Sequence, residues 1–172
     1  MVDGTHLHGK YEGNLMIATA QDANNQIYPL AYVVVDSEND SSWTWFFQQL
    51  HVVIPTSPYL VFVSDRHLSI ANGIEAVYTT AKHVFCTRHI KQNLKTKYKN
   101  KGIHKLFTKA SESYTTNEFQ EYFHQICEWN SEMGTYLKKL TFAKWTRAFC
   151  PGNTYTIFLV DCFLVDETFQ LG

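Results

Sequence analysis

The chain has 172 residues, of which 45% are hydrophobic and 15% aromatic, and its formal net charge is −1. This length suits one domain or one domain with an attached fragment, and the apolar content excludes an intrinsically disordered chain. No apolar run is long enough to span a membrane, the N-terminal residues lack a secretory signal pattern, and four irregularly spaced cysteines indicate free thiols in a reducing compartment.

The first fifty residues predict three strands followed by a helix. Residues 1–5 have the pattern of the end of a strand, which is either unusually short or lacks a beginning that relatives of the chain would have. Residues 14–21 and 27–35 are two further strands, and the polar loop between them predicts an antiparallel hairpin. Ser41 or Ser42 is the expected N-cap of the helix, whose apolar residues repeat at i, i+3, i+4 and i+7. These residues are Trp43, Phe46, Phe47 and Leu50. We expect this aromatic face to pack on the sheet.

A strand–helix–strand unit is predicted next. Residues 59–63 form an apolar run, which indicates a buried strand that stops at Asp65. Residues 68–77 have helical spacing, residues 83–86 form the next short strand, and another helix is expected from His89. Such a unit pairs its strands in parallel through a crossover. Asp65 therefore lies at the carboxyl end of a central strand, where α/β sheets place their ligands, and is the first candidate for a functional residue.

The order of these elements fits an α/β protein of the RNase H-like class. In that fold a mixed sheet is ordered 3-2-1-4-5, with strands one to three antiparallel and strands four and five parallel. Asp3 and Asp65 would then follow neighbouring strands, and their carboxylates could share divalent ions. Oxygen ligands suit Mg²⁺ or Mn²⁺. The alternative is that both aspartates only cap the turns that follow them.

The second half of the chain predicts helices. Residues 115–118 match a capping box, and the helix that follows has strong 3.6-residue periodicity. Two weaker helices are expected at residues 131–140 and 143–149. The predicted organisation is an RNase H-like core at residues 1–100, an α-helical insertion at 101–150 and a tail without clear period at 151–172.

A block of positive charge lies at the start of this half. Eight Lys or Arg residues and no Asp or Glu occur between Arg88 and Lys109. A basic block in a nearly neutral chain favours a surface that faces a polyanion, with a solvated helix face as the alternative. The candidate nucleic-acid-binding residues are Arg88, Lys91, Lys95, Lys97, Lys99 and Lys101.

Three stretches of the sequence carry a family resemblance: DGTHLHGKYEGNLMIATAQDANNQIYPLAYVVVDSENDSSWTWFFQQL, VFVSDRHLSIANGIEAVY and HVFCTRHIKQNLKTKY. They closely resemble the plant Mutator-like element (MULE) transposase domain, and the resemblance runs from residue 2 to about residue 157. It implies an RNase H-like core with an all-helical insertion, a DDE-type Mg²⁺ or Mn²⁺ site, DNA as substrate and a location in the nucleus. By this resemblance Asp3 and Asp65 match the first two catalytic, metal-binding acids, and Cys86 and His89 match the C-x2-H signature.

The C-x2-H pair has two interpretations. A Cys and a His at this spacing can bind zinc, but a closed zinc site needs about four ligands, and no second pair is present. We therefore expect a local structural or active-site role for His89, with Cys86 as an ordinary buried thiol.

The tail departs from the family pattern. The third acid of the family is a glutamate that follows a segment like residues 151–157, but residues 158–172 do not continue the pattern, and Glu167 is the only glutamate in the tail. We therefore expect a truncated, transposon-derived fragment of a domain whose relatives cleave and join DNA, without such activity here. The alternative is a domesticated, non-catalytic DNA- or protein-binding module related to transcription regulators of the far-red-impaired-response type.

Overall fold

The computed structural model describes residues 1–8, 12–21, 24 and 26–150. The strands are β1 (Val2–Leu7), β2 (Gly13–Gln21), β3 (Ile27–Val35), β4 (Val61–Ser64) and β5 (Lys82–Phe85). The helices are α1 (Asp40–Val53), α2 (Leu68–Val77), α3 (Thr87–Lys97), α4 (Lys101–Glu112), α5 (Thr116–Trp129) and α6 (Ser131–Lys139). This order confirms the predicted succession of three strands, a helix, and then alternating strands and helices up to α3.

The described residues form two compact units, residues 1–83 and 84–150. The predicted boundary at residues 100–101 falls at the connection between α3 and α4, inside the second unit, and stays a prediction. The predicted tail, residues 151–172, lies outside the described residues. No helix in the part of the chain that the structure describes is long and apolar enough to cross a membrane.

The strands form two hydrogen-bonded sheets, whereas the element order predicts a single mixed one. Strands β1, β2 and β3 are antiparallel in that order, and β4 pairs with β5 in parallel. Strand β1 contacts β4, but these two strands are not neighbours in one sheet. With only four residues, β4 offers few backbone groups to a second partner. The mixed α/β class is therefore confirmed, and the RNase H-like assignment stays a prediction.

Strand β1 is longer than the sequence pattern indicates. It pairs with β2 along all six of its residues, and the carbonyl of Met1 accepts a further hydrogen bond from the Thr19 amide at 2.8 Å. The prediction that this strand ends by residue 5 is therefore wrong, because Asp3 is the second residue of β1 and the strand continues to Leu7. Polar side chains such as His6 suggest a strand end, yet β2 satisfies the backbone groups beside them.

Strands β2 and β3 form the predicted hairpin, and most of its loop lies outside the described residues. Side chains of β3 alternate between two faces, as strand geometry requires. One face packs against the core of the first unit through Ala31, Val33 and Val35. The other face exposes Tyr28, Leu30, Tyr32 and Val34, of which Tyr32 is 74% exposed. Both faces of this strand are therefore apolar.

Helix α1 buries the predicted aromatic face. Its buried residues are Trp43, Phe46, Phe47 and Leu50, which confirms the predicted register. The helix ends before Pro55, as expected. Its N-cap, however, is Asn39 and not Ser41 or Ser42, since the Asn39 side chain accepts a hydrogen bond from the Ser42 amide at 2.9 Å. Asparagine is at least as good a cap as serine, and it reaches this amide from one turn earlier.

Helices α1 and α2 pack closely because α2 carries a glycine at the contact. A Cβ atom on Gly73 would lie 2.8 Å from Cδ2 of Phe47 and 3.1 Å from the backbone carbon of Trp43. The hydroxyl of Tyr78, just after α2, donates to the carbonyl of Ile54 at 3.0 Å, which also ties the end of α1 to this helix. These contacts fix the two helices on the same core.

The second unit has an aromatic core between helices. Phe119 contacts the rings of Phe123, Phe142, Trp145 and Phe149 at centroid distances of 4.8–5.8 Å. Burying such side chains contributes roughly 1.5–3 kcal/mol each. The core is therefore sufficient to hold α4, α5 and α6 together.

Helix α5 begins with the predicted capping arrangement. The Thr115 side chain accepts from the Glu118 amide at 3.2 Å, while Glu118 accepts from the Tyr114 amide at 3.0 Å. The reciprocal bond thus reaches one residue further back than in the standard capping box. The predicted helix at residues 131–140 is confirmed as α6.

Helix α4 lies within residues 101–150, which were expected to be helical, but it was not assigned as a separate element. Its lysines mask an amphipathic pattern whose buried residues include Ile103 and Phe107. One prediction for this half is wrong. The helix predicted at residues 143–149 is instead two 3-10 turns, Phe142–Lys144 and Arg147–Phe149. Between them the indole of Trp145 donates to the Leu137 carbonyl at 3.3 Å, an anchor that a continuous helix would displace.

Candidate metal site and nucleic-acid interface

Asp65 directly follows β4, at its carboxyl end, as predicted. One carboxylate oxygen, Oδ1, accepts a hydrogen bond from the amide of His67 at 2.9 Å, at the start of α2. Within the described residues the other oxygen accepts no hydrogen bond, and the side chain is partly exposed. The carboxylate is therefore oriented by the backbone and keeps one oxygen available to a ligand.

The peptide of Asp65 is held by its neighbour in β4. The hydroxyl of the fully buried Ser64 donates to the Asp65 carbonyl at 2.6 Å and lies 2.8 Å from Nε2 of His83 in β5. A hydroxyl has one proton, and this one is used on the carbonyl, so Nε2 of His83 must be the donor to Ser64. The result is a chain of hydrogen bonds from β5 to the backbone of Asp65. Sequence reasoning missed both residues, although each flanks a predicted strand end.

Asp3 lies in β1, where residue 3 is opposite Ile17 of β2. Its Oδ1 accepts a hydrogen bond from the next amide, that of Gly4, at 3.0 Å. Val2 is buried in the core, so the alternation along the strand places Asp3 on the opposite face. The paired strand therefore gives Asp3 a fixed backbone. The predicted approach of the Asp3 and Asp65 carboxylates to one metal stays a prediction, although β1 and β4 are in contact.

The donor chemistry of these two residues fits a hard divalent ion. Both supply carboxylate oxygens, which Mg²⁺ and Mn²⁺ prefer, and Mg²⁺ is commonly bound by one or two carboxylates with water and phosphate as further ligands. No group of three or more His, Cys, Asp or Glu in a metal-binding arrangement occurs among the described residues. That Asp3 and Asp65 hold such an ion stays a prediction.

The C-x2-H pair lies in the second unit. Cys86 is buried and is the N-cap residue of α3, with His89 in the first turn of that helix. Cys86 forms no disulfide with any residue that the structure describes. The expected local role for His89 stays a prediction.

The predicted basic block lies on the outside of α3 and at the start of α4. Helix α3 buries Ile90 and Leu94, and its charged residues lie on the other faces. Within the described residues, Lys91, Lys95, Lys99 and Lys101 form no ion pair. A row of lysines without carboxylate partners can bind phosphate groups and release their counterions.

Lys97 differs from the other lysines of the block. It pairs with Glu132 at the start of α6, and this hydrogen bond raises the pKa of Lys97 and lowers the pKa of Glu132. Both groups are exposed, so the pair contributes little to stability. It borders a shallow surface pocket of about 280 Å³. The pocket is lined by Lys97, Ser131, Glu132, Thr135, Tyr136 and Lys139.

The comparisons with known proteins agree with the predicted family. The family model described as the MULE transposase domain matches residues 1–93, which is more than half of the chain. The match includes Asp3, Asp65, Cys86 and His89. A search of curated proteins found no match.

Proposed function

Because the chain belongs to the MULE transposase domain family, we propose that it is a transposase-derived domain that binds DNA and holds Mg²⁺ or Mn²⁺ through Asp3 and Asp65. We further propose that this chain does not cleave or join DNA. In this proposal the two aspartates correspond to the first two acids of a DDE-type site, and the protein acts in the nucleus of a plant.

The observation that carries the metal proposal is the geometry of Asp65. It follows β4, its Oδ1 is held by the His67 amide, and its carbonyl is held by Ser64. Strand β1, which carries Asp3, contacts the same β4. Two oriented carboxylates on contacting strands are the arrangement that a phosphodiester-cleaving site of this family would use.

The residues of the chain would act by orienting the ion and the phosphate. A bound divalent ion polarises phosphoryl oxygens and activates water. Asp3 and Asp65 would provide its protein oxygens, and the His67 amide would keep the Asp65 carboxylate from rotating. The basic block would bind the backbone of the DNA electrostatically and without sequence preference.

The expectation of no cleavage depends on the third acid. The family pattern requires a glutamate, and the only glutamate of the tail, Glu167, lies outside the described residues and outside the matched region. The strand that carries Asp3 is not the reason, since β1 is paired with β2 over six residues. The proposed lack of DNA cleavage therefore depends only on the number of acidic metal ligands, which is two where the family pattern has three.

Nicking of supercoiled DNA with Mn²⁺ tests this proposal. We expect DNA binding by both the wild-type chain and D65A, and no nicking by either. Mn²⁺ binding, measured by electron paramagnetic resonance, should be present in the wild type and lost in D65A. Nicking by the wild type but not by D65A would overturn the proposed inactivity and would make Glu167 a candidate ligand.

The basic block supports a second function, a non-catalytic DNA- or protein-binding module related to the far-red-impaired-response regulators. The unpaired lysines belong to the second unit, whereas both aspartates belong to the first. If this function is correct, DNA affinity will be unchanged by EDTA and by replacing Asp3 and Asp65 with Asn, and Mn²⁺ binding will be absent.

A further inference from the structure

The residue after Asp3 is covered by a carboxylate from another part of the first unit. A Cβ atom on Gly4 would lie 2.5 Å from Oε1, 2.7 Å from Cδ and 2.9 Å from Oε2 of Glu38. Real Cβ atoms essentially never show such distances, so any side chain at position 4 would displace the carboxylate, which is the far end of a flexible side chain. The glycine thus provides the space in which Glu38 lies against the backbone of β1.

Glu38 is itself held in place by α1. The indole nitrogen of Trp43 donates to Oε1 of Glu38 at 3.1 Å. Trp43 is fully buried, and its ring is stacked on Phe47 and in edge contact with Phe46. A fully buried indole with these two ring contacts presents its N–H in one direction only, which orients the carboxylate as well.

Glu38 and the Asp3 side chain lie on opposite faces of β1. Val2 faces the core, so alternation along the strand places Gly4, and the carboxylate against it, on that same face. Asp3 is on the opposite face. The Glu38 carboxylate therefore contacts the face of β1 opposite to the Asp3 side chain, and it is not on the face where a metal would bind.

We propose that Glu38 is a positioning residue that fixes β1 at Gly4 and thereby sets the position of the Asp3 carboxylate for its divalent ion. The proposal rests on the proposed function in one respect, namely that Asp3 holds a metal. Glu38 acts through shape and through its hydrogen bond with Trp43. Its negative charge is not required.

The test compares Mn²⁺ affinity in four variants by electron paramagnetic resonance. E38A removes the support and G4A displaces it, and each should weaken Mn²⁺ binding about 10- to 100-fold, the usual effect of losing a residue that orients a metal ligand. E38Q keeps the size of the side chain and an oxygen that accepts from the indole, so its affinity should remain within about threefold of wild type. The double variant G4A/E38A should bind no worse than E38A, because the clash requires Glu38.

N39A is the matched control for general destabilisation. It removes the N-cap of α1 in the same loop without touching Gly4, and it should leave Mn²⁺ affinity unchanged. An E38Q variant as weak as E38A would show that charge matters and would overturn the proposal. Wild-type affinity in both E38A and G4A would overturn it as well.

Amide hydrogen exchange of β1 separates this proposal from the proposed function. If the wild type binds no Mn²⁺, Asp3 is not a metal ligand, but hydrogen exchange still measures whether Glu38 stabilises β1. Exchange at residues 2–5 should be at least tenfold faster in E38A and G4A than in E38Q and N39A. Equal exchange in all four variants would overturn the positioning role, whatever the metal result.

Discussion

The two units of the chain carry opposite charges. Residues 1–83 contain eight Asp or Glu and three Lys or Arg, whereas residues 84–150 contain five and twelve. The formal charge of −1 for the whole chain hides this separation. The acidic unit contains the candidate cation ligands, and the basic unit contains the candidate surface for a polyanion. Net charge alone is therefore a poor guide to partners when a chain has two units of opposite sign.

The units also differ in how they support their functional groups. In the first unit, Asp3 and Asp65 lie on or beside strands, and named hydrogen bonds hold Asp65 at both its carbonyl and its carboxylate. In the second unit, Lys91, Lys95 and Lys97 lie on α3, whose inner face supplies only packing, and Lys99 and Lys101 follow that helix. A metal site requires fixed ligands, whereas phosphate binding tolerates flexible side chains. The difference in support matches the difference in proposed task.

The largest expected effect concerns the core of the first unit. F47A removes a fully buried ring that contacts Phe46, Phe62 and Tyr78, and it should cost about 3 kcal/mol of unfolding free energy. F119A is the matched variant in the second unit. Urea unfolding followed by hydrogen exchange should show faster exchange in residues 1–83 for F47A and in 84–150 for F119A. Uniform loss of protection in both variants would show that the units unfold as one.

The next effect concerns the basic unit. Replacing Lys95, Lys99 and Lys101 together by Gln should lower DNA affinity on the order of 100-fold at 0.1 M salt and reduce the salt slope by about three, since each phosphate contact contributes about 0.9. A matched variant removes the same charge outside the block, at Lys138, Lys139 and Lys144. Fluorescence anisotropy at several salt concentrations measures both quantities. An equal loss of DNA affinity in the two variants would show that only the total positive charge matters and not its position in the basic block.

A smaller effect concerns the hydrogen bonds behind Asp65. S64A leaves the Asp65 carbonyl and His83 without their shared hydroxyl and should weaken Mn²⁺ binding about tenfold. H83Q retains an N–H donor near the same hydroxyl and should lose less affinity. The K95Q/K99Q/K101Q variant is the control, because the basic block should not affect Mn²⁺ binding. An unchanged affinity in S64A would show that the His67 amide alone orients Asp65.

The smallest effect appears only in alkali. Burial raises the pKa of Tyr78 to about 12, above its ordinary value near 10. The unfolded chain therefore loses this proton first, so the contribution of Tyr78 to stability is complete below pH 10 and is lost as the pH rises toward 12. Thermal unfolding of the first unit between pH 9 and 12 should show this decline in the wild type and a shallower one in Y78F. Y28F, at an exposed tyrosine, should behave as wild type.

The sequence predicts the elements of the first unit well because their signals are local. The aromatic face of α1 repeats at helical spacing, Pro55 ends the helix, and the apolar run before Asp65 is a strand. These features depend on residues that are neighbours in the chain, so residue type and hydrophobic periodicity are sufficient to predict them. The position of Asp65 at a strand end followed directly.

Predictions that depend on distant partners were less successful. Strand β1 is six residues long only because β2 pairs with its polar half, and no local pattern records that pairing. The turns around Trp145 exist because its indole reaches Leu137 on another element. Glu38, Ser64 and His83 were missed for the same reason, since each contributes through a tertiary hydrogen bond or a close approach. Gly4, which directly follows Asp3, is the sequence signal that could have indicated a close contact with another residue such as Glu38.

The close contact at Gly73 has a consequence for how relatives of this protein can diverge. Because a Cβ at residue 73 would meet the ring of Phe47 and the backbone at Trp43, a larger residue at 73 requires a smaller one at 47 and a slight shift of α1 at Trp43. The two positions should therefore covary, with alanine or serine at 73 accompanied by leucine or a smaller residue at 47. A glycine found at this position throughout the family would be explained by the packing of α1 against α2, and it would not indicate an active-site residue.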